Sequence, residues 1–258
     1  MDKEKWLLLW GYHAESASFK KKVRKTREVI DEFLSIKGNS KVYCAWSTGK
    51  DSTALLHLIL QVNQHIRVMS QNDDIDTDEI RSYRDKIVDS FSIKVDEVST
   101  EYKILDFIKD YGIDITEDIC SHGTTMSDTL FYKPIENYRK ENNFTGYFFG
   151  LRRHESKARE KNFLSRGHIY RKKNKAFVCQ PLAEWTARDV FAYLVSNNIP
   201  INPIYFFTKF KKSPEYIRSN YLLPGSFSNK GEAAWIKHYF PEIFNKLIEV
   251  CPKILAYV

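Results

Sequence analysis

The sequence predicts an α/β fold, a doubly wound parallel sheet with helical additions at its N- and C-terminal ends. Two observations predict it. Short apolar runs alternate with longer amphipathic segments from Val42 to Cys179, and the alternation stops at Pro203, beyond which aromatic and proline residues become frequent. Strands that alternate with helices pair in parallel, because each helical crossover returns the chain to the same end of the sheet.

Ser16 to Ile36 has Val23, Ile30, Phe33 and Leu34 on one helical face and is ended by Gly38-Asn39-Ser40. Val42 to Trp46 is the first strand, and Asp51 to Val62 the helix after its loop. Ile66 to Ser70 and Ile93 to Val98 are the next strands, with a helix over Asp76 to Phe91 between them. A helix from Thr100 to about Tyr111 leads into a loop, Gly112 to Ser127, that is expected near the site. Thr129 to Asn142 reads as helix, Gly146 to Gly150 and Ala176 to Cys179 as strands. Thr186 to Asn197 is a helix opened by Thr186 with Asp189 three residues on, a carboxylate form of the capping box. Asn229 to Ile248 reads as helical. Sheets of this kind bind ligands at the carboxyl ends of their strands. Trp46-Ser47, Gln71-Asn72 and Gly150-Leu151 are therefore expected to line the site.

A chain of 258 residues can bury the core of one large domain, or of one domain with a small appendage. Its 43% hydrophobic and 28% charged residues are those of a soluble globular protein. No apolar run approaches the ~20 residues of a membrane span, and the apolar stretch Trp6 to Trp10 is shorter than a signal-peptide core. The expectation is a cytoplasmic protein with no membrane partner. Cys44, Cys120, Cys179 and Cys251 lie far apart, without a C-x-x-C or a Cys/His zinc spacing. Cys44 and Cys179 sit in apolar runs as small buried hydrophobes, and neither a disulfide framework nor an iron–sulfur cluster is expected. The net charge is +7, yet residues 131–175 alone hold thirteen basic and four acidic side chains. So local a positive field favours a polyanion, either a nucleotide or a nucleic acid.

The chemistry is carried by Ser47-Thr48-Gly49-Lys50-Asp51-Ser52, between the first strand and its helix. Small and hydroxyl residues, a helix N-terminus and one ammonium are what a phosphate group requires. A helix start gains from carboxylates and not from a lysine, unless an anion sits there. Asp51 would brace the loop or face a magnesium ion. The loop is not a Walker A motif, because Cys44 stands where the first glycine is required and Asp51 follows the lysine. Gly150-Leu151-Arg152-Arg153-His154-Glu155-Ser156-Lys157-Ala158-Arg159 supplies forked guanidinium groups suited to pyrophosphate or sulfate. Gln71-Asn72-Asp73-Asp74-Ile75-Asp76 follows the second strand, where Asp73, or its acidic neighbours, would read ribose hydroxyls. His122 and His154 lie near these segments. Trp185, Tyr205 and Trp235 are either core or the wall of an acceptor pocket.

The first segment resembles the S-G-G-K-D-S pyrophosphate loop (PP-loop) of the ATP pyrophosphatase and phosphoadenosine phosphosulfate (PAPS) reductase superfamily, with Thr48 in place of the first glycine. The second resembles that superfamily's G-x-R-x-x-E-S-x-x-R element, matched by Gly150, Arg152, Glu155, Ser156 and Arg159. Pro181-Leu182 through Trp185-Thr186 to Asp189-Val190, then Ile199-Pro200 to Tyr205, resemble the PAPS reductase family's P-L-x-x-W-[ST]-x-x-D-V helix and I-P-x-N-P-x-Y turn. The resemblance runs from Val42 to Tyr205 and implies a Rossmann-like, adenine nucleotide alpha hydrolase-like domain over 41–205. A helical extension over 1–40 precedes it, and a helical and aromatic extension over 206–258 packs on it.

The resemblance implies an enzyme that binds ATP with Mg2+ and cleaves at the α-phosphate to adenylate an acceptor. Lys50, Arg152 and Arg159 are its expected catalytic residues. Ser47, Thr48, Gly49, Lys50, Asp51, Ser52, Asp73, Gly150, Arg152, Glu155 and Ser156 would hold the nucleotide, with Asp51 the magnesium ligand. Similar proteins include the ATP pyrophosphatase subunits of DNA phosphorothioation systems, which would bring nucleic acid to segment 131–175 and a sulfur-donor protein as partner. The E-C-G-L-H nucleophile of sulfonucleotide reductases is absent, the last cysteine lying in Glu249-Val250-Cys251-Pro252. A PAPS or adenylylsulfate (APS) reductase would have to use another thiol, with Cys120 the candidate. A nucleotide-binding subunit without turnover is the third reading.

Overall fold

The structure, a computed structural model, describes residues 2–72, 75–100, 102–116, 128–219 and 231–258. The chain forms two compact units: Met1–Ser70 with Tyr83–Glu97 and Arg139–Asn202, and Gln71–Ser82 with Val98–Tyr138 and Pro203–Val258.

Helices α1 (Lys3–Ala14) and α2 (Ala17–Lys37) precede strand β1 (Val42–Ala45), helix α3 (Lys50–Leu60) and strand β2 (Arg67–Asn72). Helix α4 (Asp78–Phe91), strand β3 (Val95–Ser99), helices α5 (Ile104–Asp110) and α6 (Lys133–Glu141) and strand β4 (Gly146–Phe149) follow. Helix α7 (Lys157–Arg166), strands β5 (Ile169–Arg171) and β6 (Phe177–Cys179), and helices α8 (Ala187–Ser196), α9 (Glu232–Tyr239) and α10 (Pro241–Val250) complete the order. No described helix is long and apolar enough to cross a membrane.

The six strands make one sheet in the order β3-β2-β1-β4-β6-β5. β1 runs parallel to both β2 and β4, and β4 parallel to β6. The doubly wound sheet expected from the alternation is therefore present. An antiparallel strand, β5, is added at the β6 edge. Central β1 is buried along its whole length, as a parallel strand covered on both faces must be. The order reverses between β1 and β4, and ligands of such sheets sit beyond the carboxyl ends of the strands at that reversal. Register places Ala45 opposite Phe149, so the loops leaving β1 and β4 start side by side.

The core of the first unit joins the sheet to helices α2, α3 and α8. Phe33 of α2 meets Phe148 of β4 edge-on at 4.9 Å between ring centroids. The indole of Trp185 donates to Thr26 Oγ1 at 2.8 Å. Helix α1 belongs to this core, because Trp10 is fully buried and stacks on Phe191 of α8 at 4.1 Å. The capping box read from Thr186 and Asp189 is formed. The Asp189 carboxylate also takes His13 Nε2 at 2.8 Å and Lys22 Nζ at 2.7 Å, so it ties α1 and α2 to the start of α8. Cys44 and Cys179 are buried, as their apolar runs implied.

In the second unit, Trp235 and Tyr205 are buried, and the Trp235 indole donates to the Phe207 carbonyl. Phe207 stacks on Tyr239 at 4.6 Å. Both buried rings, like Trp185 in the first unit, are core. Asp114 accepts from Thr116 and from Lys253 Nζ at 2.6 Å. Burial pushes its carboxyl up, but these donors outweigh burial and hold it at about 2.

Three elements depart from the sequence reading or add detail to it. The stretch expected to be helical over 229–248 forms two helices, divided at Phe240 and Pro241, because proline lacks an N–H and disfavours the helical conformation in the residue before it. The helix expected over 129–142 opens with a wide π-turn, Asp128–Tyr132, before α6. Pro134 has no N–H to give the Leu130 carbonyl, which accepts from the Gln71 amide instead. Strand β5 was not expected at all. It is three residues long, and its turn carries no Asn-Gly or Asp-Gly signal but places Lys175 at φ +67°.

Replacing Trp10 by alanine should lower the unfolding free energy by about 3 kcal/mol, the cost of emptying a large aromatic site. Urea denaturation followed by far-UV circular dichroism measures it. A change under about 0.5 kcal/mol would mean that α1 is not part of the cooperative core.

Candidate functional site

The loop after β1 is shaped by its own short side chains. Trp46 N–H still pairs with the Met69 carbonyl, continuing the sheet, while its indole donates to Thr53 Oγ1 at 3.0 Å. Ser52 Oγ accepts from Ser47 N–H at 3.1 Å and donates to the Gly49 carbonyl at 3.1 Å, closing the loop into a tight ring. Thr48 takes φ +56°, the left-handed region that a β-branched residue rarely enters, and its hydroxyl donates to the Ser47 carbonyl at 2.7 Å. Gly49 occupies the N-cap of α3 without a side-chain cap, so the helix start is built for a partner other than its own side chains.

The loop after β4 passes directly over this helix start. A Cβ on Gly150 would lie 3.0 Å from Ser52 N and 3.1 Å from Ser52 Cα, tighter than ordinary van der Waals contact. Only glycine lets the two backbones approach so closely. Beyond it, Glu155 accepts from Arg152 N–H at 3.1 Å, capping the short 3-10 turn Arg153–Glu155. Ser156 Oγ accepts from Arg159 N–H at 3.2 Å and caps α7. These caps fix where the arginines point.

The result is one continuous ladder of charge across both loops. Lys50 Nζ meets Asp51 Oδ2 at 3.0 Å, and Arg152 Nε meets Asp51 Oδ1. Arg152 Nη2 lies 3.5 Å from Glu155 Oε1, and Arg159 pairs with Glu155 Oε2. Three cations and two carboxylates leave the ladder one positive charge in excess. Its inner end is dry: Lys50 is 4% exposed and Arg152 7%. Lys50 Nζ also stands 5.8 Å from the ring of Phe191. Burial pushes the Asp51 carboxyl up, but the Lys50 ammonium and the Arg152 guanidinium outweigh it and hold it below the ordinary carboxylate value.

Every site residue named on the two motifs is thus brought to one place: Ser47 to Ser52, Gly150, Arg152, Glu155, Ser156 and Arg159. Asp73, His122 and Cys120 lie outside the described residues. Arg153 turns from the ladder, its guanidinium over Phe163 at 5.5 Å and its Nε 3.3 Å from His154 Nε2. The sequence did not point to Thr53, which is fully buried and receives both the Trp46 indole and the Tyr83 hydroxyl. Its partners are contributed by separate elements, which no local pattern records. Asp51 is the carboxylate that the first loop could offer to a metal ion, and no group of three metal-ligating side chains occurs among the described residues. One carboxylate fits magnesium delivered with phosphate oxygens, which commonly uses one or two.

Two outcomes test this geometry. Thr48→Gly should raise the unfolding free energy by up to about 1 kcal/mol, since relief of left-handed strain exceeds the entropy cost of glycine. Equal or lower stability would mean that the loop carries no strain at that position. Asp51 is held below the unfolded carboxylate value of ~3.9, so its contribution is whole above about pH 5 and lost as pH falls below about 4. Asp51→Asn should therefore lower stability near pH 7 by about 3 kcal/mol and flatten the acid limb of the stability profile. An acid limb of unchanged steepness would mean that Asp51 contributes nothing to it.

The sulfate adenylyltransferase subunit 2 of Trichlorobacter lovleyi is 27% identical over 186 residues, 62% of this chain and 59% of that protein. Its counterpart from Mesorhizobium japonicum is 26% identical over 195 residues, 65% of this chain and 61% of that protein. The chain therefore spans about three fifths of the length of these relatives. Among solved structures, the PAPS reductase of Candida auris in its phosphate complex aligns with TM-score 0.54 at 15% identity, covering 79% of this chain and 90% of that one. The FMN adenylyltransferase of Candida glabrata in complex with ATP aligns with TM-score 0.55 at 14% identity, covering 78% and 66%. These two likenesses establish the shared fold. Residues 41–212 match the phosphoadenosine phosphosulfate reductase domain model, which takes in β1, both charged loops and α8, and the chain belongs to that family.

Proposed function

We propose that the chain is an enzyme that binds an adenine nucleotide at the β1–β4 crevice and transfers its adenylyl group to an acceptor. The observation that carries this is the ladder from Lys50 to Arg159, in which two loops gather three cations over a helix N-terminus. A triphosphate would take the places of Asp51 and Glu155 as the partner of those cations. Ser47, Thr48, Gly49 and Ser52 would cradle it through backbone N–H groups, with Gly150 and Ser156 holding the second loop against it. Magnesium, held by Asp51 and the phosphates, would neutralise further charge. Asp73 is proposed for the ribose hydroxyls.

An acceptor oxygen or sulfur attacks the α-phosphorus, a bond to that atom forms, and the α–β bridging bond breaks with its electron pair on pyrophosphate. Lys50, Arg152 and Arg159 stabilise that leaving charge from a dry, preorganised site, the contribution that dominates phosphoryl chemistry. The similar proteins named for adenylyl transfer to sulfate support an acceptor from sulfur chemistry and a second subunit as partner. Sulfur transfer onto DNA, with a sulfur-donor protein, is the form of this reaction that we favour. A cytoplasmic location accords with it.

Sulfonucleotide reduction of PAPS or APS is the second reading, favoured by the family itself. It needs an accessible thiolate. Burial pushes the Cys44 and Cys179 thiols up, and burial with the Asp114 charge does the same for Cys251. Cys120 remains its candidate. Pyrophosphate and AMP release from ATP with magnesium decides between the readings, measured with sulfate, with DNA and with neither. Release that falls at least 100-fold in Lys50→Ala is the expected result. Sulfite release from PAPS that is abolished in Cys120→Ala, without any pyrophosphate from ATP, would establish reduction instead. Nucleotide binding without either product would leave a non-catalytic subunit.

A further inference from the structure

The basic residues that the sequence groups between 131 and 175 separate in the fold into two places. Arg152 and Arg159 stand beyond the carboxyl end of β4, on the charge ladder. Arg171, Lys172, Lys173 and Lys175 belong to the opposite end of the sheet. Arg171 ends β5 and pairs with Phe177, the first residue of β6. Phe177 pairs with Gly146, the first residue of β4, and Gly146 with Val42, the first residue of β1. Lys41 directly precedes β1, and its carbonyl accepts from Thr145 N–H at 2.8 Å. Lys37 ends α2 and sets its ammonium 3.0 Å from the centre of the Phe177 ring, which Arg171 approaches at 5.5 Å.

Six cations thus border one end of the sheet, formed by the amino termini of β1, β4 and β6 and the carboxyl terminus of antiparallel β5. The chain supplies no acid between Phe33 and Lys50, none between Asn142 and Gly150, and none between Arg166 and Ala183. Glu32 and Glu141 flank those stretches. Lys41, Arg171, Lys173 and Lys175 are exposed. Two like charges share one aromatic ring, and burial together with the nearby Arg171 charge lowers the Lys37 pKa. Such a border gains from an anion with many charges at regular spacing. From β1 to β5 it spans three strand separations, about 14 Å, a length over which a nucleic-acid duplex presents roughly eight phosphate charges. The Arg171-Lys172-Lys173-Asn174-Lys175 turn holds no apolar side chain to insert into a bilayer.

We propose that the amino-terminal edge of the sheet, centred on the β5–β6 turn with Lys37 and Lys41, docks the phosphate backbone of a nucleic acid. This surface is separate from the nucleotide crevice. It does not rest on the adenylyl-transfer reading.

The test is fluorescence anisotropy of a labelled 20-base-pair DNA duplex titrated with the full chain at several salt concentrations. The variant carries Arg171→Ala, Lys173→Ala and Lys175→Asn, asparagine being chosen because it tolerates the left-handed backbone at that position. Affinity should fall at least tenfold at low salt, and the slope of log K against log salt should shrink by about 2 to 3. ATP binding, measured in parallel, should be unchanged, which separates this surface from the crevice. A charge-retaining variant, Arg171→Lys with Lys173→Arg, should keep near-wild-type affinity and slope. Equal DNA affinity in wild type and the triple variant would overturn the proposal. So would binding to phosphatidylserine vesicles or polyglutamate that is tighter than binding to DNA.

Discussion

The contact on which the candidate site depends is the one made by an absent side chain. Gly150 lets the chain leaving β4 lie against the backbone of Ser52, so closely that a Cβ would push the two backbones apart by a few tenths of an ångström. That approach sets Arg152 over the start of α3, where it can reach Asp51. Through Asp51 it meets Lys50, and through Glu155 it meets Arg159. Two loops a hundred residues apart in sequence become one electrostatic object because β1 and β4 are neighbours in register and because glycine stands at their exit.

Such an arrangement is costly as a structural device. Removing a lysine and an arginine from water costs several kcal/mol each, and their attraction to carboxylates recovers that only with good geometry. Apolar residues of similar volume would serve stability as well or better. The same chain shows the cheaper solution elsewhere, in a core that joins the sheet to its helices through Phe33, Phe148 and Trp185. Buried cations retained at the switch point of a doubly wound sheet are therefore better explained by an anionic ligand than by the fold.

How much of this was legible in sequence depended on how local each cause was. β1, its loop and α3 were legible because strand, loop and helix are contiguous and each obeys a short-range rule. The capping box at Thr186 was legible for the same reason. The π-turn before Pro134 was not, because the acceptor freed by the proline is satisfied by Gln71, some sixty residues away. β5 was hidden by its length and by a turn whose left-handed residue is a lysine and not glycine or asparagine. The helical character of the stretch around Pro241 was legible, and the proline marks where it divides into α9 and α10. At the site, the ionic residues could be named from their motifs, but their pairing could not. Thr53, whose hydroxyl receives donors from β1's exit and from α4, left no local pattern at all.

The antiparallel strand has one more consequence. A sheet that ended at β6 would expose the backbone of an apolar strand, Phe177–Cys179, as a template for any extended chain in solution. β5 covers that edge with three residues and substitutes an edge too short to recruit another strand. Arginine and lysines at its turn repel a second copy that approaches in the same way. The strand that departs from the parallel pattern is thus a terminator of the sheet, and it bears on whether the folded chain stays dispersed at high concentration.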